Sequence, residues 1–334
     1  MVTNDQLEAS KTIQRQTGLT FHIATRLLPQ RVRHATYVLY AFFRLADDVV
    51  DDPDPAPPER QQRELERIRK GANGETTPSS PVLKAFNDIR EQYGISEQEI
   101  AVFIDAMEQD IGNGSTCTPS VEFTDATEME HYLRGSAVAV GYMMLAVMEP
   151  SSPHTARPHA KALGEAFQLT NFLRDVREDI DEYQRVYLPQ STLDRAEASI
   201  EDIAAYRPTP AFRQAMRLEL ERAEEKYRTG VAGIQYLPKD CQFPVLMAAV
   251  FYAEYHRLIR ARHYDVLTDP PSLNAAQYAV LLVKTWLHWK RTHDPEQTFY
   301  HVAPVEQKGK VRQNHSRWQA INQYLGKQRA SWLE

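Results

Sequence analysis

Apolar residues recur at steps of three and four along almost the whole chain, and convincing period-two alternation is hard to find. The pattern predicts helix after helix. A capping box at Thr3-Asn4-Asp5-Gln6 opens the first, which ends near Thr17-Gly18. A short apolar segment from Thr20 is closed by Pro29, and from about Gln30 a helix runs through Val32, Tyr37, Tyr40 and Ala41 to Arg44. Helices are expected over 59–70 and 82–93, and from the box Ser96-Glu97-Gln98-Glu99 to Asp110, before Gly112-Asn113-Gly114 breaks the chain. Asp125-x-x-Glu128 opens a long helix through Tyr132, Ala137 and Gly141 to Met148, whose small residues suit close helix approach or a cavity wall. Pro153 and Pro158 precede the next helix, and three more fall near 210–228, 240–264 and 274–291. From 293 the chain is more polar, apart from a short helix at 318–325. No boundary signal interrupts 1–292, so the expectation is one all-α domain there and a polar tail over 293–334.

Composition narrows the field. With 42% hydrophobic and 25% charged residues the chain is a soluble globular type, and the longest apolar runs, 137–148 and 243–253, are too short to span a bilayer. A net charge of −6 without a basic tract argues against nucleic acid. Cys117 and Cys241 show no C-x-x-C spacing and read as free thiols of a reducing cytosol. No signal-peptide pattern opens the sequence, so the expected location is cytoplasmic. Contact with a membrane surface stays open, and Trp318, Tyr324 and Trp332 of the tail are candidates for it. The histidines make no zinc spacing, and there is no P-loop, G-x-G-x-x-G or Gly-x-Ser-x-Gly.

Two polar stretches carry the candidate chemistry. Arg44-Leu45-Ala46-Asp47-Asp48-Val49-Val50-Asp51-Asp52 and Asn171-Phe172-Leu173-Arg174-Asp175-Val176-Arg177-Glu178-Asp179 each set an arginine before an aspartate, with a second aspartate four residues on. On a helix Asp47 and Asp51 share a face, as do Asp175 and Asp179. Like charges at that spacing cost about 0.2–0.5 kcal/mol per pair, and those of the first stretch crowd a helix end, stopped by Pro53 and Pro55, that is already partly negative. Either water solvates the cluster or a hard divalent cation such as Mg²⁺ offsets the repulsion and completes its shell with phosphate oxygens. The second stretch has a plainer reading, with Arg174–Glu178 and Arg177–Asp181 as surface pairs. Gln168, Asn171, Arg174, Asp175, Glu178 and Asp179 make one polar face, either solvated or lining a pocket.

Tyr40 through Asp51 and Gln168 through Asp179, followed by Arg185-Val186-Tyr187-Leu188-Pro189, resemble the squalene/phytoene synthase family, and the resemblance extends from about Gly18 to Trp286. It implies an isoprenoid-synthase helical bundle around a central apolar cavity, with the two acidic motifs facing each other. It implies Mg²⁺, with Mn²⁺ as a substitute, held by Asp47, Asp51, Asp175 and Asp179, with Asp48 as a helper. Arg44, Arg174 and Arg185 then contact diphosphate, Gln168, Asn171 and Thr20 line the same surface, and Tyr40, Tyr132 and Tyr187 lie near the reacting atoms. The implied reaction joins two prenyl diphosphates head to head through a cyclopropylcarbinyl diphosphate, and proton loss without NADPH leaves a conjugated triene. The wording of the second motif is most similar to the phytoene synthase branch, which uses geranylgeranyl diphosphate; a dehydrosqualene or squalene synthase using farnesyl diphosphate is the near alternative. A non-enzymatic lipid-binding or assembly relative would be expected to lose metal aspartates, and all four are present. The chain departs from the family at Gly18, at Ser136-Ala137-Val138 and at Asp269-Pro270-Pro271, where the family often places basic residues, so that one diphosphate contact is either missing or supplied elsewhere.

Overall fold

The computed structural model describes residues 19–52, 56–78, 80–111 and 119–305. Proline sets where many helices begin, because its fixed φ and missing N–H suit a first turn. Thus Pro29 precedes α2 (Gln30–Val50), which follows α1 (Leu19–Arg26), and Pro58 and Pro81 open α3 (Pro58–Asn73) and α4 (Pro81–Tyr93). α5 (Glu97–Gln109) follows, then β1 (Ser120–Val121) and α6 (Ala126–Leu133). A π-helical turn (Arg134–Ala139) leads into α7 (Val140–Met148). α8 (Pro153–Arg174) and α9 (Val176–Tyr183) meet at Asp175, and β2 (Arg185–Val186) pairs in parallel with β1. α10 (Gln190–Ala196), α11 (Ile200–Ala204), α12 (Pro210–Ala232), α13 (Lys239–Ala261), α14 (Ala275–Thr292) and α15 (Pro295–Val302) complete the order.

Three apolar clusters hold these helices together. One joins α2 to α5 with α7, around Phe42, Phe86 and Phe103. A second joins α6, the end of α8 and α9 to α12, and the third joins the middle of α8 to α12, α13, α14 and α15. α8 therefore passes between the second and third clusters. No helix among the described residues is long and apolar enough to cross a membrane, and the runs at 137–148 and 243–253 lie in buried helices.

Several expectations change. The tail does not begin at 293: Phe299 and Val305 are fully buried in the third cluster, because α15 folds back against α14. Polar residues on its outer side hid that short helix in the sequence. The long helix expected over 125–148 carries the π-helical turn. A Cβ on Gly135 would sit 2.4 Å from Ala106 Cβ and 2.5 Å from Val102 O, so only glycine lets the turn press on α5. Ser96 caps α5 through Gln98 N at 3.2 Å, but Glu99 leaves the expected box. Glu99 is buried instead and pairs with Arg134 at 2.8 Å and Arg157 at 2.6 Å, tying α5 to the π-helical turn and α8. The box at Thr3, Gly18, the glycine breaker at 112–114, Cys117, Pro53 and Pro55, and the tail segment with Trp318, Tyr324 and Trp332 lie outside the described residues. Cys241 is a buried free thiol.

Candidate active site

A cavity of about 1200 Å³ opens between these clusters. Along α2 its lining passes from Tyr40 and Phe43 to Arg44, Asp47 and Asp51. Along α8 it passes from Ala156, Leu163 and Phe167 to Gln168, Asn171 and Arg174. Both helices thus run from an apolar region to a polar end. Met107, Met144 and Val245 are among the side chains of the apolar part.

At the polar end each acidic pair is set by a helix terminus. α2 stops at Val50, and the Asp51 N–H donates to Asp47 O at 2.9 Å, which holds the two carboxylates one turn apart. α8 stops at Asp175, whose N–H donates to Asn171 O at 2.9 Å while its own carbonyl accepts from Asp179 N at 2.8 Å. The chain turns at this joint (φ −102, ψ 10), yet Asp175 and Asp179 keep the four-residue relation. The sequence expected one helix here; the structure breaks it at Asp175 and keeps both aspartates on the cavity lining.

Thirteen of the fourteen residues singled out from the sequence line this cavity: Thr20, Tyr40, Arg44, Asp47, Asp51, Tyr132, Gln168, Asn171, Arg174, Asp175, Asp179, Arg185 and Tyr187. Asp48 does not line it; its side chain is 58% exposed and accepts from Arg44 Nε at 2.6 Å. Arg174 forks Asp175, with Nε and Nη2 at 2.6 and 2.5 Å, so the expected surface pair with Glu178 is replaced. Its guanidinium also lies 5.0 Å from the Tyr255 ring centre. The Arg177–Asp181 pair is present at 3.3 Å. Thr20 lines the cavity with its hydroxyl bonded to the Tyr278 hydroxyl at 2.5 Å.

Arg185 is the hub of the polar end. The parallel register Ser120↔Arg185 fixes its backbone, and the guanidinium is 3% exposed. Nη2 donates to Asp110 O at 3.0 Å, Nη1 lies 3.4 Å from Asp110 Oδ1, and Nη1 donates to the Tyr187 hydroxyl at 3.1 Å. Asp110 Oδ2 in turn accepts from the Tyr132 hydroxyl at 3.0 Å. Tyr187 stacks on Phe172 with ring centres 4.3 Å apart. The sequence reading did not single out Asp110. Its signal was there: Phe103, Met107 and Asp110 step by four and three along the cavity face of the α5 segment, so a carboxylate continues an apolar stripe.

The charges at this end are frustrated. Burial, then Asp51, pushes the Asp47 carboxyl up to about 8; burial, then Asp175 and Glu178, pushes Asp179 up to about 8. Burial raises Asp110 to about 7 against the pull of Arg185, and raises Asp51 against Arg185 and Arg44. Arg185 lowers all of Asp51, Asp110 and Asp179, which places the two acidic stretches around one guanidinium. Burial, then Asp110, keeps Tyr132 and Tyr187 protonated, well above the usual phenol range.

The donor set suits a hard cation. Asp179 Oδ2 and Asn171 Oδ1 are buried oxygens without a hydrogen-bond partner, an arrangement a cation or a hydrated cation relieves. Among the described residues no three acidic, histidine or cysteine side chains converge to cage an ion. A pair of carboxylates that leaves coordination sites for water and phosphate is the ordinary habit of Mg²⁺, so the residues fit that ion and do not fit a closed structural site.

Residues 14–277 match the squalene/phytoene synthase family. A phytoene synthase of Mycobacterium tuberculosis is 30% identical over 292 residues, covering 86% of this chain and 93% of that protein. A 15-cis-phytoene synthase of a Synechocystis species is 27% identical over 296 residues, covering 84% of each chain. The fold is similar to a crystal structure of a dehydrosqualene synthase with bound ligand, with a TM-score of 0.73 at 24% identity over 86% of this chain and 97% of that one.

Proposed function

This chain belongs to the squalene/phytoene synthase family and is an enzyme of the prenyltransferase type, and from that premise we propose that it is a phytoene synthase joining two geranylgeranyl diphosphates head to head. The observation that carries the reading is the cavity: about 1200 Å³, with two half-buried aspartate pairs and the guanidinium groups of Arg44, Arg174 and Arg185 at one end of an apolar lining. That volume exceeds the roughly 300–1,000 Å³ of an ordinary ligand pocket. On α8 the lining extends from Ala156 to Arg174, roughly 27 Å of axis at about 1.5 Å per residue, which suits a long prenyl chain with a charged head. The relatives named phytoene synthase favour the C20 donor over the C15 one.

Arg44, Arg174 and Arg185 bind the two diphosphates, and their planar forks hold the leaving oxygens in a fixed orientation. Arg174 and Arg185 remain charged although burial works against them, because Asp175 and the Tyr187–Asp110 side chains hold the cationic forms. Asp47, Asp51, Asp175 and Asp179 would hold Mg²⁺, which supplies Lewis-acid neutralisation of the diphosphate charge. The C1–O bond of the first donor breaks with the electron pair leaving on diphosphate. The C2=C3 bond of the second donor attacks that C1, and loss of a proton closes the cyclopropane. After the second diphosphate leaves, the carbon skeleton rearranges, and loss of a second proton gives the triene with no reductant consumed. Phe43, Phe103, Met107 and Phe167 exclude water that would quench the cation. Tyr132 and Tyr187, held as neutral phenols, offer ring faces and hydroxyl dipoles to it rather than a base.

One incubation tests this: purified protein with Mg²⁺ and geranylgeranyl diphosphate, without NADPH, and hydrocarbon analysis of the extract. A forty-carbon conjugated triene is expected, and Asp51→Asn or Asp175→Asn should reduce it by about 100-fold or more with helical circular dichroism unchanged. Hydrocarbon from farnesyl diphosphate alone would move the enzyme to the thirty-carbon branch. Near-normal turnover in either variant would overturn the metal-ligand assignment.

A further inference from the structure

Five large apolar side chains are exposed among the described residues, and four of them belong to α14: Val280 (51%), Val283 (54%), Trp286 (46%) and Leu287 (48%). Their spacing by three and four puts them on one face, while Tyr278, Leu281 and Thr285 are buried on the other. Single exposed hydrophobes are ordinary, but an apolar stripe two turns long is not. Lys284, Lys290 and Arg291 are exposed beside it, and α14 has no acidic residue although the chain as a whole carries −6. Lys290 Nζ lies 5.9 Å from the Trp286 ring centre, so a cation and an amphipathic aromatic sit at the same level. The inner side of the helix borders the cavity: Pro270, Pro271, Ser272 and Leu273, which lead into α14, line it, and so does Tyr278.

From these observations we propose that α14 docks the protein on an anionic lipid surface. Val280, Val283, Trp286 and Leu287 enter the acyl boundary, and Lys284, Lys290 and Arg291 meet the lipid phosphates. Charge separates this occupant from its competitors. Pairing α14 with α14 of a second copy would set three cations against the same three. The segment 306–334 carries Lys308, Lys310, Arg312, Arg317, Lys327 and Arg329 against Glu306 and Glu334, so it too would oppose like charge. An anionic bilayer complements both the apolar stripe and its basic edge. The inference rests on this face alone and holds whichever prenyl donor the enzyme uses.

Flotation of the full-length protein with vesicles tests it, comparing phosphatidylglycerol–phosphatidylcholine mixtures with phosphatidylcholine alone. The protein should float with the anionic vesicles at least about tenfold better, and V283D/L287D should lose that binding with its circular dichroism unchanged. Brominated lipids should quench tryptophan fluorescence in the native chain and much less in Trp286→Phe. Absence of flotation, or flotation undiminished in V283D/L287D, overturns the proposal. Undiminished quenching in Trp286→Phe would assign lipid contact to another tryptophan and overturn it as well. A dimer in sedimentation velocity that V283D/L287D converts to monomer would give the face to a second copy.

Discussion

Asp110 touches both Arg185 and Tyr132, and through them it fixes the polar end of the cavity. An isolated buried carboxylate is costly, so its persistence depends on the guanidinium beside it. Asp110→Asn keeps the volume and one acceptor but removes the charge that holds Arg185. The expected result is a fall in kcat of about ten- to hundredfold with a smaller change in KM and intact helical circular dichroism. An unchanged kcat would remove Asp110 from the positioning network. Asp48 gives the opposite lesson. It shares the acidic run with Asp47 and Asp51, yet it pairs with Arg44 outside the cavity. Sequence spacing showed that Asp47 and Asp51 share a face; it did not show which face met the cavity.

Most helices were legible as elements because three–four periodicity, prolines at first turns and capping side chains all agree. Asn274 and Gln277 form the reciprocal box that opens α14, and Asp125 caps α6 through Thr127 N and Glu128 N. The π-helical turn at Arg134–Ala139 was not legible, since one inserted residue leaves the apolar pattern nearly intact. It depends on what lies opposite: Gly135 against α5, and Gly164 of α8 against the Ala137 carbonyl, where a Cβ would be 2.9 Å away. Gly135→Ala should therefore cost about 1–3 kcal/mol, read as a lower urea midpoint with unchanged slope. A neutral substitution would show that α5 can move away from the turn. The short α10, α11 and α15 escaped the sequence reading for a related reason. Each is held by its neighbours more than by its own periodicity, as α10 is by α12.

At the scale of the molecule, the polar end is assembled at the expense of stability. Asp47, Asp110 and Asp179 have folded values near 8, 7 and 8, above the ordinary carboxylate range. A raised folded value means the native state binds more protons than the unfolded one between about pH 4 and 8, so this contribution is fully present below pH 4 and is lost as pH rises through 7 and 8. The melting temperature of the protein in EDTA should accordingly fall between about pH 5.5 and 8 from these groups. Mg²⁺ should raise it more at the higher pH, where the carboxylates it favours are the ones burial disfavours. A Mg²⁺ effect equal at both pH values would place the ion away from these side chains.

The sequence by itself determined most of the helices, the two acidic stretches with their arginines, and the family. These features are local: periods, caps and spacings are written within a few residues of one another. Tertiary structure decided the rest, because it depends on pairs far apart in the chain. Docking of α5 beside β2 put Asp110 against Arg185, the fold-back of α15 buried Phe299, and the packing of α8 and α9 brought Asp175 and Asp179 to the same cavity as Asp47 and Asp51. Burial then converted ordinary carboxylates into groups that hold their protons near neutrality, since only a packed surrounding can remove the water that would stabilise their charge.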